Sequence, residues 1–436
     1  MTLAIYRWSS LAPPARAALL RRPALDDAGS LTARVESIVA DVRARGDAAL
    51  AELTARYDGV AVESLKVGEA EFAAAEAALP AAAHAAIDRA IANVRCFHEA
   101  QRLAPLSVET SPGVRCERIE VPLEAVGLYV PAGSAPLPSA AIMTAVPAAI
   151  AGCPTRVLCT PPRRDGRADS AVLVAARRAG VTEIYKVGGA QAIAAMAYGT
   201  ASIPKVDKIC GPGNAWVTAA KLVVARDPGG AALDLPAGPS EVLVIANDTA
   251  RPGFVAADLL AQAEHDPSAQ VLLVTTSAAL AAAVVAEVER QQATLSRRAI
   301  TAAALEASRV IIVDDLATAF EVSNAYAPEH LILEIDRARD WLGSVRAAGS
   351  VFLGHWSPES IGDYCSGTNH VLPTYGYARA FSGLSVADFM RRITVQELTR
   401  EGLCDLGPVA QTLAGLEGLD GHAQAVAVRL AELAAP

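Results

Sequence analysis

Residues 181–199 read VTEIYKVGGAQAIAAMAYG: an apolar run from Val181 to Val187, a Gly188-Gly189 turn, then small and apolar residues at helical spacing as far as Tyr198. A strand that passes straight into a helix cannot pair with its successor as a hairpin does. The next strand returns by a right-handed crossover and lies parallel. Outward from this stretch the same rhythm recurs at 156–160 and 206–210, each apolar run being followed by a helical pattern. Further on, runs at 242–246, 271–275, 310–313, 331–335 and 350–353 alternate with helices in the same way. Alternation of this kind is the mark of an α/β protein with parallel sheets.

The segment 234–240, with two prolines and a glycine, reads as the junction between two α/β units. Residues 33–102 carry apolar positions at spacings of three and four, punctuated by Pro80, and read as helical. Residues 118–130 alternate in part and read as strand, whereas the chain beyond Tyr377 loses strand character and reads as helical. Four regions are expected: a mainly helical 1–120, a first α/β unit 121–235, a second 236–376, and a helical tail 377–436. Ser277 and Pro252 are placed to start helices, as an N-cap and a first-turn proline.

The 436 residues suffice for several domains with a well-buried core, and the net charge is −9. No basic block interrupts the chain, which argues against nucleic acid as a partner, because phosphate binding needs clustered lysine and arginine. The best candidate for a membrane span, 138–153, contains Pro147 and falls short of the ~20 apolar residues a span requires. Met1 to Ser10 lacks the order of a secretory signal, so a cytoplasmic protein is expected. The seven cysteines include no C-x-x-C pair and read as small buried hydrophobes. Cys116 and Cys153 remain candidates for a thiol nucleophile in an aldehyde-oxidising enzyme.

Polar residues suited to chemistry gather in the second half. Gln262 and His265 stand three apart at the end of an expected helix, where an amide oxygen and an imidazole can share one ion, and Asp363 could supply a third ligand. Glu329 and His330 are adjacent before a strand; a histidine can take an alcohol proton and a carboxylate can activate water. Because neighbours on a regular helix point apart, the pair must sit at a turn or an element's end. The stretch 349–379 is rich in Gly, Ser, Pro, His and Asp without helical or strand period beyond its first residues, and loops of such length are usually functional. His355 within it reads as a solvated loop residue. No G-x-G-x-x-G follows any expected strand; Gly188-Gly189-Ala-Gln191 and Gly211-Pro-Gly213-Asn214 are the candidate dinucleotide-binding turns.

Several long segments resemble the histidinol dehydrogenase family: VGLYVPAGSAPLPSA, VGGAQAIAAMAYGT, VDKICGPGN, LPAGPSEVLVIA, LLAQAEHD, NAYAPEHL, HWSPESIGDYCSGTNHVLPTYGYAR and RRITVQELT. The resemblance spans nearly the whole chain. It implies two incomplete Rossmann-like units with helical tails, a homodimer with composite sites, and oxidation of L-histidinol to L-histidine with two NAD and one zinc ion per site. Carried over by motif, Gln262, His265, Asp363 and His422 become zinc ligands, with Glu329 the water activator and His330 the proton acceptor. Ser240, His370 and Glu417 fall where the family meets substrate, together with the four zinc ligands and His330; Tyr129, Gln191 and Asn214 fall where it meets NAD. Ala132 and Ala261 stand where the family more often has glycine and serine. A relative acting on another amino alcohol or diol would use the same residues; a zinc hydrolase would have no use for the two glycine-rich turns.

Overall fold

The computed structural model describes residues 3–23, 28–132, 135–181, 183–236 and 238–434. The chain forms two compact units, one of residues 1–101 with 123–389, the other of 102–122 with 390–436.

The larger unit contains two parallel sheets. The first has the spatial order Glu183–Lys186, Thr155–Thr160, Ala125–Tyr129, Lys208–Cys210, Ala232–Leu233. Its central strand is also first in sequence. The chain runs to one side of it and then to the other, which opens a crevice at the carboxyl ends of the strands where α/β sheets bind ligands. The second sheet has the order Ala4–Arg7, Arg309–Ile312, Gln270–Thr275, Glu241–Ala246, His330–Glu334, Ser350–Leu353, with every pair parallel. Its three central strands are buried at every residue, as expected of unbroken apolar runs covered on both faces. Val255, Leu259 and Val284 pack on one face; Phe320, Val322 and Tyr326 pack on the other.

The expected helices at Ser277 and Pro252 are present: Ser277 Oγ accepts from Leu280 N at 3.2 Å, and Pro252 opens the helix Pro252–Ala263. The segment holding Pro147 is a helix of 14 residues, Pro138–Ala151, buried at twelve of them. It is a core helix, and no helix among the described residues is long and apolar enough to cross a membrane.

The smaller unit is an antiparallel sheet in the order Met390–Leu398, Val114–Pro122, Leu106–Ser111, followed by the helices Arg400–Leu416 and Asp420–Ala434. Two expectations change here. The tail beyond residue 376 is not wholly helical, because it contains the nine-residue strand Met390–Leu398, exposed at seven positions and half-buried at two. With no buried face it carries no alternation to read, and its partner lies some 270 residues earlier in sequence. The alternating stretch 118–130 is likewise two strands, Val114–Pro122 and Ala125–Tyr129, which belong to different units. The mainly helical N-terminal region also supplies Ala4–Arg7 to an edge of the second sheet.

Candidate active site

The helix Leu316–Tyr326 ends on Ala327 in a left-handed conformation (φ 55°), and Pro328 prevents its continuation. Glu329 follows, and His330 is the first residue of its strand. The pair therefore stands at an element's end, as its chemistry requires, and both side chains are buried. Glu241, the first residue of the neighbouring strand, holds both. Its N–H donates to Glu329 Oε2 at 2.8 Å, and its carbonyl accepts from His330 Nδ1 at 3.2 Å. A carbonyl can only accept, so Nδ1 carries a proton, and whenever the ring is neutral its lone pair is at Nε2. That nitrogen has no hydrogen-bond partner among the described residues and lies 3.5 Å from Asp363 Oδ1.

Asp363 comes from the short helix Glu359–Tyr364, inside the stretch expected to be loop. Six residues are too few for a readable period. The helix places Glu359 and Asp363 four apart and thus on one face. His265 stands just beyond the helix that carries Gln262, its N–H bonded to Gln262 O at 3.2 Å. One ligand atom each from His265, Glu359 and Asp363 lie within 4.8 Å of one another. The Gln262 side chain is buried beside them, one amide atom facing Glu359 Oε1 and the other facing Glu241 N and Glu329 Oε2; with the nitrogen toward Glu359, the oxygen shares the Glu241 N–H at 2.9 Å. His370 donates from Nδ1 to the Asp363 carbonyl at 2.8 Å, which leaves its Nε2 as an acceptor. His355 is no free loop residue, since its Nδ1 lies 2.5 Å from the buried Glu334 carboxylate.

Burial raises the pKa of Glu329 to about 8, against the pull of His330. Burial also works against charge on His330, but Glu359, Glu329 and Asp363 outweigh it and lift the pKa well above its ordinary value. Glu359 is raised strongly by burial. His265 opens to a cavity, yet the protein packed around it lowers its pKa against the opposing charge of Asp363, which favours the neutral, metal-binding imidazole.

Two cavities meet at this cluster. One, of about 550 Å³, is lined by Ser240, His265, Glu329 and His370. The other, of about 750 Å³, is lined by Tyr129, Gly189, Gln191, Asn214 and His265. The larger lies at the carboxyl ends of the first sheet, where the crevice was expected. Tyr129 Oη accepts from Gly189 N at 3.0 Å, and Asn214 Oδ1 caps the helix Ala215–Arg226 by accepting from Trp216 N and Val217 N. Gly211 has φ 120°, and a Cβ there would stand 2.2 Å from the Tyr129 carbonyl, so glycine is required. Its N–H donates to Asp234 at 2.7 Å, while Lys221 bonds both the Gly211 carbonyl and Asp234.

The larger unit thus brings Ser240, His265, Glu329 and His370 to the wall of one cavity, with Gln262, His330 and Asp363 packed beside them, and Tyr129, Gln191 and Asn214 to the wall of the adjoining one. Glu417 and His422 lie in the smaller unit, both exposed. Sequence reasoning missed Glu241 and Glu359. The spacing of Glu359 and Asp363 after Pro358 was the available signal for the second; Glu241 acts through its backbone and gave none.

Residues 20–430 match the sequence model of a family described as histidinol dehydrogenase. A histidinol dehydrogenase of Xanthomonas axonopodis pv. citri (strain 306) is 56% identical over 426 residues, covering 98% of this chain and 99% of the relative. One of Vibrio vulnificus (strain YJ016) is 53% identical over 428 residues, covering 98% of each. The crystal structure of histidinol dehydrogenase from Elizabethkingia anophelis superposes with a TM-score of 0.96 at 43% identity, covering 99% of each chain.

Proposed function

The chain belongs to the histidinol dehydrogenase family, and from that premise we propose that it oxidises L-histidinol to L-histidine in two successive steps, with zinc and NAD, at the site built on Glu329, His330 and Asp363. The observation that carries this reading is the buried Glu329–His330 pair, with Glu329 lining the smaller cavity, beside a convergent set of nitrogen and oxygen donors whose His265 lines both cavities. Neutral imidazole, carboxylate and amide oxygen suit zinc. His265, Asp363 and Gln262 are the residues that would hold it, with His422 of the partner subunit as a fourth. Gln262 would hold it with the amide turned so that the oxygen faces Glu359 and the donor cluster, its nitrogen then donating to Glu329 Oε2 at 3.5 Å. The larger cavity suits a dinucleotide: it is lined by the Gly189 turn and by Asn214, offers the helix N-terminus at Gly189 to a pyrophosphate, and has ample volume. When bound, zinc would anchor and orient the substrate and NAD would accept the hydrides.

His330 takes the carbinol proton at Nε2 while Glu241 fixes its Nδ1–H. Asp363 beside Nε2 and the carboxylates around the ring stabilise the imidazolium that forms. Glu329, held by the Glu241 N–H, takes a proton from the water that adds to the aldehyde; a carboxyl with a pKa near 8 makes that exchange at little cost around neutrality. The hydrate then loses its second hydride as His330 again removes the hydroxyl proton. Ser240 and His370 line the substrate cavity. We further propose a cytoplasmic homodimer in which Glu417 and His422 serve the partner's site. The exposed apolar side chains of Val409, Leu413 and Leu416 on the helix Arg400–Leu416 support a partner surface there.

The test is to incubate the zinc-loaded protein with histidinol and NAD, with and without chelator, and to count NADH per histidine. Two NADH, no free aldehyde and no turnover after chelation are expected. One NADH per turnover, or aldehyde captured in full by an external trap, overturns the two-step reading.

A further inference from the structure

One wall of the larger cavity carries a group that no step above uses. Asp58 follows the helix Asp47–Tyr57 and closes its last turn through an N–H bond to Thr54 O at 2.9 Å. Its side chain lines the cavity together with Tyr129, Gly189 and Gln191. Oδ2 is sealed from solvent and has no hydrogen-bond partner among the described residues. Burial lifts the pKa of this carboxyl to about 6. Tyr129 is raised first by its own burial, and the charge of Asp58 adds to that, so the carboxylate stands near the tyrosine that anchors the Gly188–Gly189 turn. The charges acting on His265, at the metal end, are instead Asp363, His330, Glu264 and Arg297.

A buried acceptor without a donor weakens a fold, and native proteins leave few of them. Asp58 as a whole is half-buried and lines the cavity, so a turn of the carboxyl about its Cβ–Cγ bond presents Oδ2 to an occupant that brings the donor. On the reading that the occupant is a nicotinamide dinucleotide, its nicotinamide must reach the carbon between His330 and the metal ligands. The Tyr129 end is then left for the adenosine. The donors presented there are the two hydroxyls of the ribose, a pair that one carboxylate can accept together. A phosphate on the 2′ oxygen would remove a donor and set a dianion against the carboxylate.

We propose that Asp58 accepts the adenosine ribose hydroxyls and so selects NAD over its 2′-phosphorylated form. This assignment depends on the dinucleotide reading of the cavity, and the experiment separates the two. Binding of NADH and NADPH to the zinc-loaded protein is titrated by fluorescence for wild type, Asp58→Asn, Asp58→Ala, Gln191→Ala and Asn214→Ala. Wild type should prefer NADH. Asp58→Asn should weaken NADH by roughly 10- to 100-fold, the range for a hydrogen bond to a charged group, while NADPH changes little, so that the preference narrows. Asp58→Ala should narrow it further. Zinc affinity and melting temperature should stay near wild type in both Asp58 variants, because the missing oxygen had no protein partner to lose. Equal weakening of both dinucleotides in the Asp58 variants, or a wild type that does not discriminate, overturns the selection role while leaving the cavity's occupant in place. Unchanged NADH binding in Gln191→Ala and Asn214→Ala removes the occupant as well, and with it both readings.

Discussion

His330 and Glu329 receive different environments from one neighbour, and that difference predicts how their losses divide. Glu241 gives a carbonyl to the ring, which directs the lone pair of the neutral histidine to Nε2, and an N–H to the carboxylate, which works against the burial that raises Glu329 to about 8. His330→Ala should therefore slow oxidation of histidinol most, and Glu329→Gln oxidation of added histidinaldehyde most. Each loss should be of order 10²- to 10⁴-fold. Stopped-flow NADH formation from the two substrates measures this directly, and equal losses in both steps from both variants would reject the division. The thiol alternative gives a second prediction. Cys153 is buried, and that burial raises its pKa to about 11, so almost none is thiolate at neutrality. Cys116 lies on the strand Val114–Pro122, in the smaller unit. Cys153→Ala and Cys116→Ala should both retain activity, and iodoacetamide should label the exposed Cys96 and Cys404 long before Cys153. A folded but inactive Cys153→Ala would revive a thiohemiacetal route.

At the scale of elements, what the sequence made legible was whatever is local and periodic. Unbroken apolar runs announced the buried central strands, and Pro328 marked the end that presents Glu329 and His330. Met390–Leu398 stayed hidden because both its faces are largely exposed, and Glu359–Tyr364 because one turn and a half has no period. Glu241 was invisible for a different reason: its importance lies in where its strand begins. That beginning is pinned by side-chain contacts which yield another prediction. The Glu241 carboxylate, nearly wholly buried, pairs with Arg22 and accepts the Tyr375 N–H at 2.7 Å, while Arg22 stacks 4.0 Å from the Tyr326 ring. Arg22→Met strands a buried carboxylate and should cost about 3 to 5 kcal/mol in chemical denaturation. Adding Glu241→Gln removes the stranded charge, so the double variant should recover part of that loss. Losses that simply add would show that the two side chains do not depend on each other.

For the molecule as a whole, the donor set draws on elements with cores of their own, so metal should be dispensable for folding. Gln262 projects from a helix packed on the second sheet, His265 follows that helix, and Asp363 comes from the short helix beside it, so chelation should abolish activity reversibly with little change in circular dichroism. His422 differs, because it belongs to the smaller unit. If it serves the partner's site in a two-fold dimer, His265→Ala and His422→Ala strike the same site when the two variants pair. One site of the mixed dimer then carries both lesions and the other carries none. Random reassortment makes about half the dimers mixed, each with one sound site, so roughly a quarter of wild-type activity should return on mixing two inactive variants. If His422 instead serves its own subunit, every site keeps one lesion and mixing restores nothing. Subunit exchange, followed independently with differently tagged chains, makes the second result as decisive as the first.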